Sequence, residues 1–251
     1  MNFKGIKKQI AIFCFFIFSF SFVEVLAEEF KVKTAEQYFL DGVYNYSKRW
    51  YTTSKEQFEA LSKNYPYSEY TRDALILEMY TNYIDKEYEN VEGVVEVYNK
   101  LYPNDKYADY VLFLHAMSYY VRVRDVERTG NDILSSKILF QYLVNKYPKS
   151  KFAKNAKEKI TYLTKLEQFY NLTLGEYFYN TELYISAMKQ YTNLLKKFKG
   201  IMLPEFEENL LCRLIEVSKT MQNDEYVKQY SKMLNKKFPK SVCKANANTL
   251  K

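Results

Sequence analysis

The chain is poor in the groups that most chemistry needs. It has a single histidine, His115, and three cysteines, with no Cys-x-x-Cys or His-x-x-x-His spacing that would gather a metal ion. Any Ser-His-Asp arrangement would have to use His115. That residue lies in the helical run Val111–Val121 among Leu112, Leu114, Ala116 and Met117, with no strand-turn-helix elbow beside it. There is no Gly-rich phosphate loop, and the acidic pairs Glu28-Glu29 and Glu207-Glu208 read as a solvated terminus and a helix first turn. No catalytic residue, cofactor or metal is therefore expected. With only six Gly and five Pro among 251 residues, of which 47% are hydrophobic, the chain can order and bury a core.

Two further shortages bear on partners and location. The formal charge is +7, but no five basic residues run together, and Lys196-Lys197-Phe198-Lys199 and Lys236-Lys237 fall at helix ends, where cations complement the dipole. Nucleic acid is not expected as a partner. The longest apolar run, Ile10 to Val23, has 14 residues, short of the roughly 20 that span a bilayer. Lys4, Lys7 and Lys8 precede it and Val25-Leu26-Ala27 follow it, so residues 1–27 read as a secretory signal cleaved after Ala27, with an uncleaved anchor as the alternative. Cys14 lies inside that segment. Cys212 and Cys243 remain, either bridging the last helical hairpin to the C-terminal tail or standing as two unpaired structural thiols.

What is abundant is tyrosine, 26 copies against one Trp, and a repeat. The pairs Tyr65-Pro66, Tyr102-Pro103, Tyr147-Pro148 and Phe238-Pro239 each end an amphipathic segment. Gly42, Ser54, Phe58 and Pro66 are spaced 12, 4 and 8 apart, and so are Gly175, Ala187, Tyr191 and Lys199, where Lys199-Gly200 replaces Pro as the stop. That is the spacing of a tetratricopeptide hairpin: small residues where two helices cross, an aromatic on the second helix, and a breaker after it. Met79, Val91, Val95, Pro103 and Ile215, Val227, Ser231, Pro239 are degenerate copies. In the third unit Ala116 precedes Ser136 by 20 positions rather than 12, which predicts an eight-residue insertion in the charged stretch Arg122 to Asp132. One long helix is expected from Phe152 to Tyr179, and Pro204 followed by Glu205, Glu207 and Glu208 reads as a helix start. The fold class is all-α, a right-handed solenoid of about five tetratricopeptide-like hairpins, over 28–240, with a flexible tail at 241–251.

Read in order, Ala35-Glu36-Gln37-Tyr38, Glu59–Ile84, Tyr107–Tyr120, Arg124–Thr129 and Ile138–Tyr170 resemble the successive repeats of BamD-type outer-membrane assembly proteins. The likeness covers roughly residues 34–240 and includes the charged insertion and the long joining helix. It implies a non-catalytic scaffold on the periplasmic face of the outer membrane, peripherally associated. Its expected partners are unfolded outer-membrane proteins, the periplasmic domains of the barrel insertase and other assembly lipoproteins. The family's acylated Cys has no counterpart after a small residue here, because Cys14 follows Phe13, so a lipid anchor is not expected.

On this reading the N-terminal repeats, 34–103, take client targeting peptides, and the groove residues are Tyr38, Phe39, Tyr46, Tyr80 and Tyr83 on first helices, with Tyr67 near the first turn. The third repeat and long helix occupy 104–180. The repeats at 181–240 dock on the insertase through Lys189, Gln190, Lys196 and Lys197, with Lys189-Gln190 standing where the family presents an Arg. Another exported tetratricopeptide adaptor organising the cell envelope is the alternative function.

Overall fold

The computed structural model describes residues 32–123 and 129–244. The expected signal, the middle of the insertion and the last tail residues lie outside them. The described residues form ten α-helices and a final 3-10 turn, with no strand: an all-α helical repeat fold. The chain divides into two compact units, one through Thr81 and one from Asn82 onward.

The first unit holds α1 (Ala35–Ser47), α2 (Tyr51–Asn64) and most of α3 (Thr71–Ile84). Helix α1 starts where the sequence caps it: the Thr34 side chain accepts the Gln37 N–H while the Gln37 side chain accepts the Thr34 N–H, satisfying two amides at once. The helices cross at Gly42, where a Cβ would collide with the Phe58 ring, and the Ser54 hydroxyl donates to the Gly42 carbonyl at 2.8 Å. Phe58, Leu61 and Ala74 form the core, with Tyr38, Phe39, Tyr70 and Leu77 against it.

The second unit holds α4 (Tyr88–Leu101), α5 (Ala108–Arg122), α6 (Thr129–Lys146), α7 (Ala153–Asn180), α8 (Tyr184–Lys197), α9 (Pro204–Thr220) and α10 (Asp224–Lys237). The crossing of the first hairpin recurs. A Cβ on Gly175 would collide with the Tyr191 ring, and Ser136 donates to the Ala116 carbonyl at 3.0 Å despite the longer spacing, so the third hairpin keeps its register. Helix α7, 28 residues long, serves two hydrophobic clusters. Its first half, with Ala153, Ala156 and Leu163, packs with Phe140 and Leu143, and Leu172 near its other end packs with Tyr191, Leu194 and Leu214.

Turns repeat as faithfully as helices. Arg49, Lys86, Glu182 and Gln222 all have positive φ, between 54° and 66°. In each case the next residue's N–H reaches a carbonyl five positions back, Trp50 to Asn45, Glu87 to Asn82, Leu183 to Phe178 and Asn223 to Ser218, all at 2.9 Å. These are Schellman turns built without the usual glycine. After four of the five second helices the N–H of Tyr65, Tyr102, Tyr147 or Phe238 makes the last helical bond, at 2.7–2.8 Å, and the following Pro cannot extend it.

The charged insertion is shorter as a loop than its sequence predicts. Arg122 ends α5 and Thr129–Asp132 already belong to α6, because Arg122 grips the buried Asp132 carboxylate with two nitrogens and Val123 and Ile133 are buried. The expected tail boundary also moves. Ser241 is buried, and Cys243 in the 3-10 turn Val242–Lys244 is disulfide-paired with Cys212 on α9, their Cα atoms 6.0 Å apart.

Two outcomes follow from this packing. Gly42→Ala and Gly175→Ala should each lose about 1–3 kcal/mol in chemical denaturation, whereas Gly93→Ala, with open space around it inside α4, should be neutral or gain about 0.5–1 kcal/mol. The second concerns Glu78 on α3, whose carboxyl is pushed up to about 8, first by burial and then by Glu59, with Lys63 acting the other way. A raised folded-state carboxyl favours the protonated native form, so stability should decline as pH rises from about 4.5 through about 8. Denaturation midpoints of Glu78→Gln should not follow that decline.

Candidate functional site

Six aromatic residues and four polar ones are the sequence-predicted contacts, and the structure separates each set into packed and presented members. In the first unit Tyr38 and Phe39 serve the hairpin. Phe39 lies 6.2 Å from Phe58 and 5.4 Å from Tyr70 between ring centroids, and Tyr38 lies 6.4 Å from Tyr65. Tyr46 is half-buried between Tyr51 at 5.9 Å and Tyr80 at 6.2 Å, and its hydroxyl is pushed up, first by burial and then by the two tyrosines. Tyr67 stands out with 91% of its surface exposed. Tyr83 falls in the second unit, its ring 5.7 Å from Tyr88.

The presented apolar surface of α1 is a stripe that the sequence reading passed over. Leu40, Val43 and Tyr44, spaced to share a helix face, are all exposed, and the chain's lone Trp, Trp50, meets Tyr44 edge-on at 6.4 Å with Lys48 above the Tyr44 ring. Since Phe39, Gly42 and Tyr46 already supply the packed face, α1 is apolar on two faces. That doubled stripe was the available signal.

In the second unit Lys189 and Lys196 are exposed on α8, on one face with Ile185, itself 77% exposed. Gln190 and Lys197 face elsewhere. The Gln190 amide donates to the Asn171 side chain at 2.8 Å, tying α8 to α7. Lys197 pairs at 2.5 Å with Glu167, a buried carboxylate that Lys137 of α6 also binds. Burial alone would raise Glu167, but hydrogen bonds from Lys137 and Lys197 outweigh it and hold the carboxyl below its ordinary range. Lys197 is therefore paired with a buried acid while about half of its side chain stays exposed.

His115 is half-buried beside Tyr119, its Nε2 is without a hydrogen-bond partner, and burial lowers its pKa. Among the described residues no cluster of three His, Cys, Asp or Glu residues is placed to hold a metal ion, and no helix is long and apolar enough to cross a membrane.

The hairpin array and its presented aromatics can now be compared with known proteins. The family model described as YfiO, outer membrane lipoprotein, matches residues 31–245. The chain belongs to the YfiO family. It is a BamD-type tetratricopeptide-repeat protein, and its curated relatives are distant. The outer membrane protein assembly factor BamD of Rickettsia prowazekii is 21% identical over 80% of this chain and 79% of that protein. The Caulobacter vibrioides BamD is 20% identical over 73% of this chain, and the match spans 59% of that protein's length. Among solved structures, the TPR2AB domain of yeast Sti1 in complex with an Hsp90 peptide aligns with TM-score 0.42 and 15% identity over 85% of this chain and 82% of that one. Pseudomonas aeruginosa PilF aligns with TM-score 0.29 and 16% identity over 84% and 95%. Within this YfiO-family chain, Gly42 under Phe58 and Gly175 under Tyr191 mark two helix crossings with no room for a Cβ.

The Glu167 cluster gives a test that separates structure from docking. Lys137→Met should cost about 1–3 kcal/mol because it strips a partner from a buried carboxylate, while Lys189→Glu and Lys196→Glu should stay within about 0.5 kcal/mol of the parent. Urea denaturation of the three variants checks this. Because Glu167 is depressed, its contribution should be present above pH 4.5 and be lost as pH falls below that value.

Proposed function

We propose that this chain is a non-catalytic scaffold for assembling outer-membrane β-barrel proteins, acting on the periplasmic face of the outer membrane. The first unit takes unfolded client segments, and the second docks on the periplasmic domains of the barrel insertase beside other assembly lipoproteins. The observation that carries the reading is the presented stripe of Leu40, Tyr44 and Trp50, with Tyr67 beyond it, in a family whose curated relatives are named outer membrane protein assembly factors. Aromatic rings with one polar atom suit an extended, aromatic-ended peptide, since each buries much area for two torsions fixed. Tyr46 and Tyr80 pack half-buried on the other face of α1, and Tyr38 and Phe39 support the hairpin from within. No cofactor enters, because recognition by complementarity involves no turnover.

On the docking side, the reading rests on Lys189, Lys196 and Ile185, which share the open face of α8. Gln190 and Lys197 act indirectly by fixing α8 against α7.

The test is affinity capture of barrel precursors and of the insertase from envelope extracts, with purified variants. Leu40→Ala/Tyr44→Ala/Trp50→Ala should weaken binding of a client C-terminal peptide at least about tenfold with helical content intact. Lys189→Glu/Lys196→Glu should weaken insertase capture and leave peptide binding unchanged. Capture of envelope or peptidoglycan proteins without the barrel would move the function to an adaptor of the cell envelope.

A further inference from the structure

The second unit carries a cationic edge that the docking reading does not use. Of the twelve residues from Lys146 to Lys157, five are Lys and none is Asp or Glu. They run from the end of α6 through the turn into the start of α7, and Lys106 joins them from the turn between α4 and α5. Lys106, Lys146 and Lys149, with Tyr147, border one open depression of about 410 Å³. Lys151 follows in the turn and Lys154 and Lys157 on α7, where a spacing of three keeps 154 and 157 on one side, with exposed Glu158 one turn beyond Lys154. All six are exposed. A sequence reading that seeks consecutive cations misses this set, because turns and apolar positions interrupt it.

Three lysines elsewhere in this unit meet acids. Lys137 and Lys197 share Glu167, and Lys237 pairs with Glu207. At this edge, among the described residues, none of the six lysines stands within ion-pair distance of a carboxylate. The two acids bordering the depression are engaged by neutral donors. Asp105 accepts from the Tyr98 hydroxyl at 2.6 Å and the Tyr107 N–H at 2.9 Å, and Asp109 accepts from the Ser150 hydroxyl at 2.6 Å. Concentrated like charge opposes the compact state. Surface that keeps such charge uncompensated suits an anionic partner.

We propose that this edge binds a membrane surface bearing anionic phosphate headgroups. The cations are all Lys, compact charges on flexible stems, without the Arg fork that reads one fixed carboxylate or phosphate geometry. They spread along an edge and converge on no deep pocket, which matches a plane of headgroups better than one acidic side chain. Tyrosine rings flank them. Lys106 lies 4.8 Å from the Tyr107 ring, and Lys146 lies 5.3 Å from Tyr142 and 5.4 Å from Tyr147. Tyr142 is 51% exposed and Tyr107 39%, so their rings can sit at headgroup level while the ammonium groups reach phosphate. The inference rests on the proposed outer-membrane role only in supplying a bilayer for the edge to meet.

The experiment is co-sedimentation of the chain with vesicles of phosphatidylcholine alone and with roughly 30 mol% phosphatidylglycerol added, at about 0.05 M and about 0.5 M salt. Binding should require the anionic lipid and fall away at the higher salt. Lys149→Glu/Lys151→Glu/Lys154→Glu should lower partitioning by about tenfold or more. The neutral set Lys149→Gln/Lys151→Gln/Lys154→Gln should lower it less, and Lys189→Glu/Lys196→Glu should leave it unchanged. Circular dichroism confirms that each variant is folded. Absence of binding to anionic vesicles, or equal binding by the charge-reversed variant, would overturn the proposal, and capture by polyglutamate without vesicle binding would assign the edge to an acidic protein. Insertase capture by the reversed variant reads the scaffold role separately: retained capture with lost vesicle binding supports the edge as a lipid contact, and lost capture with retained vesicle binding sinks it.

Discussion

In the first hairpin the ring of Phe58 lies where any side chain on residue 42 would have to go, and in the fourth the ring of Tyr191 lies over Gly175 in the same way. This seating lets the two helices approach closely enough for the Ser54 hydroxyl to reach the Gly42 carbonyl, and Ser136 and Ala116 repeat the bond. Close approach buries the aromatic completely, and burial of such rings is the largest favourable contribution that any one side chain here can make. The Tyr191 hydroxyl has no hydrogen-bond partner, so the fourth hairpin keeps its packed ring at the expense of a buried polar group.

Geometry at the turns follows from that crossing. A hairpin whose helices touch at one fixed point must reverse direction in a fixed number of residues, and Arg49, Lys86, Glu182 and Gln222 adopt the left-handed conformation to do so. No glycine marks these positions, and each therefore carries backbone strain that the helix packing over-determines. The third hairpin departs from this pattern. Its helices are separated by more residues, and the Arg122–Asp132 pair joins the helix ends on either side.

Electrostatics then decides which surface is open. Glu167, buried on α7, draws Lys137 and Lys197 inward and binds α6, α7 and α8 into one body of packing. That pairing leaves Lys137 mostly buried and Lys197 about half exposed, whereas Lys189, Lys196 and the lysines of the 146–157 edge remain in solvent. The surface thus carries an apolar, aromatic stripe on α1, a mixed face on α8 and a lysine-rich edge, three different chemistries.

The sequence by itself determined the helical class, the hairpin period, the crossing residues and the long joining helix. Small residues, aromatics and Pro at spacings of 12, 4 and 8 leave the backbone few alternatives, and Gly42, Phe58, Gly175 and Tyr191 take the places that spacing assigns. What only the tertiary structure decided was exposure and pairing. Tyr38 and Tyr67 look alike as residues in an aromatic-rich chain, yet one packs on the hairpin core and the other is almost fully exposed. Lys196 and Lys197 are neighbours in sequence, but a helix turns about 100° between them, so one meets solvent and the other meets Glu167. Periodicity fixes which residues share a face; what covers that face depends on residues far along the chain, such as Glu167 for Lys197 or Cys243 for Cys212.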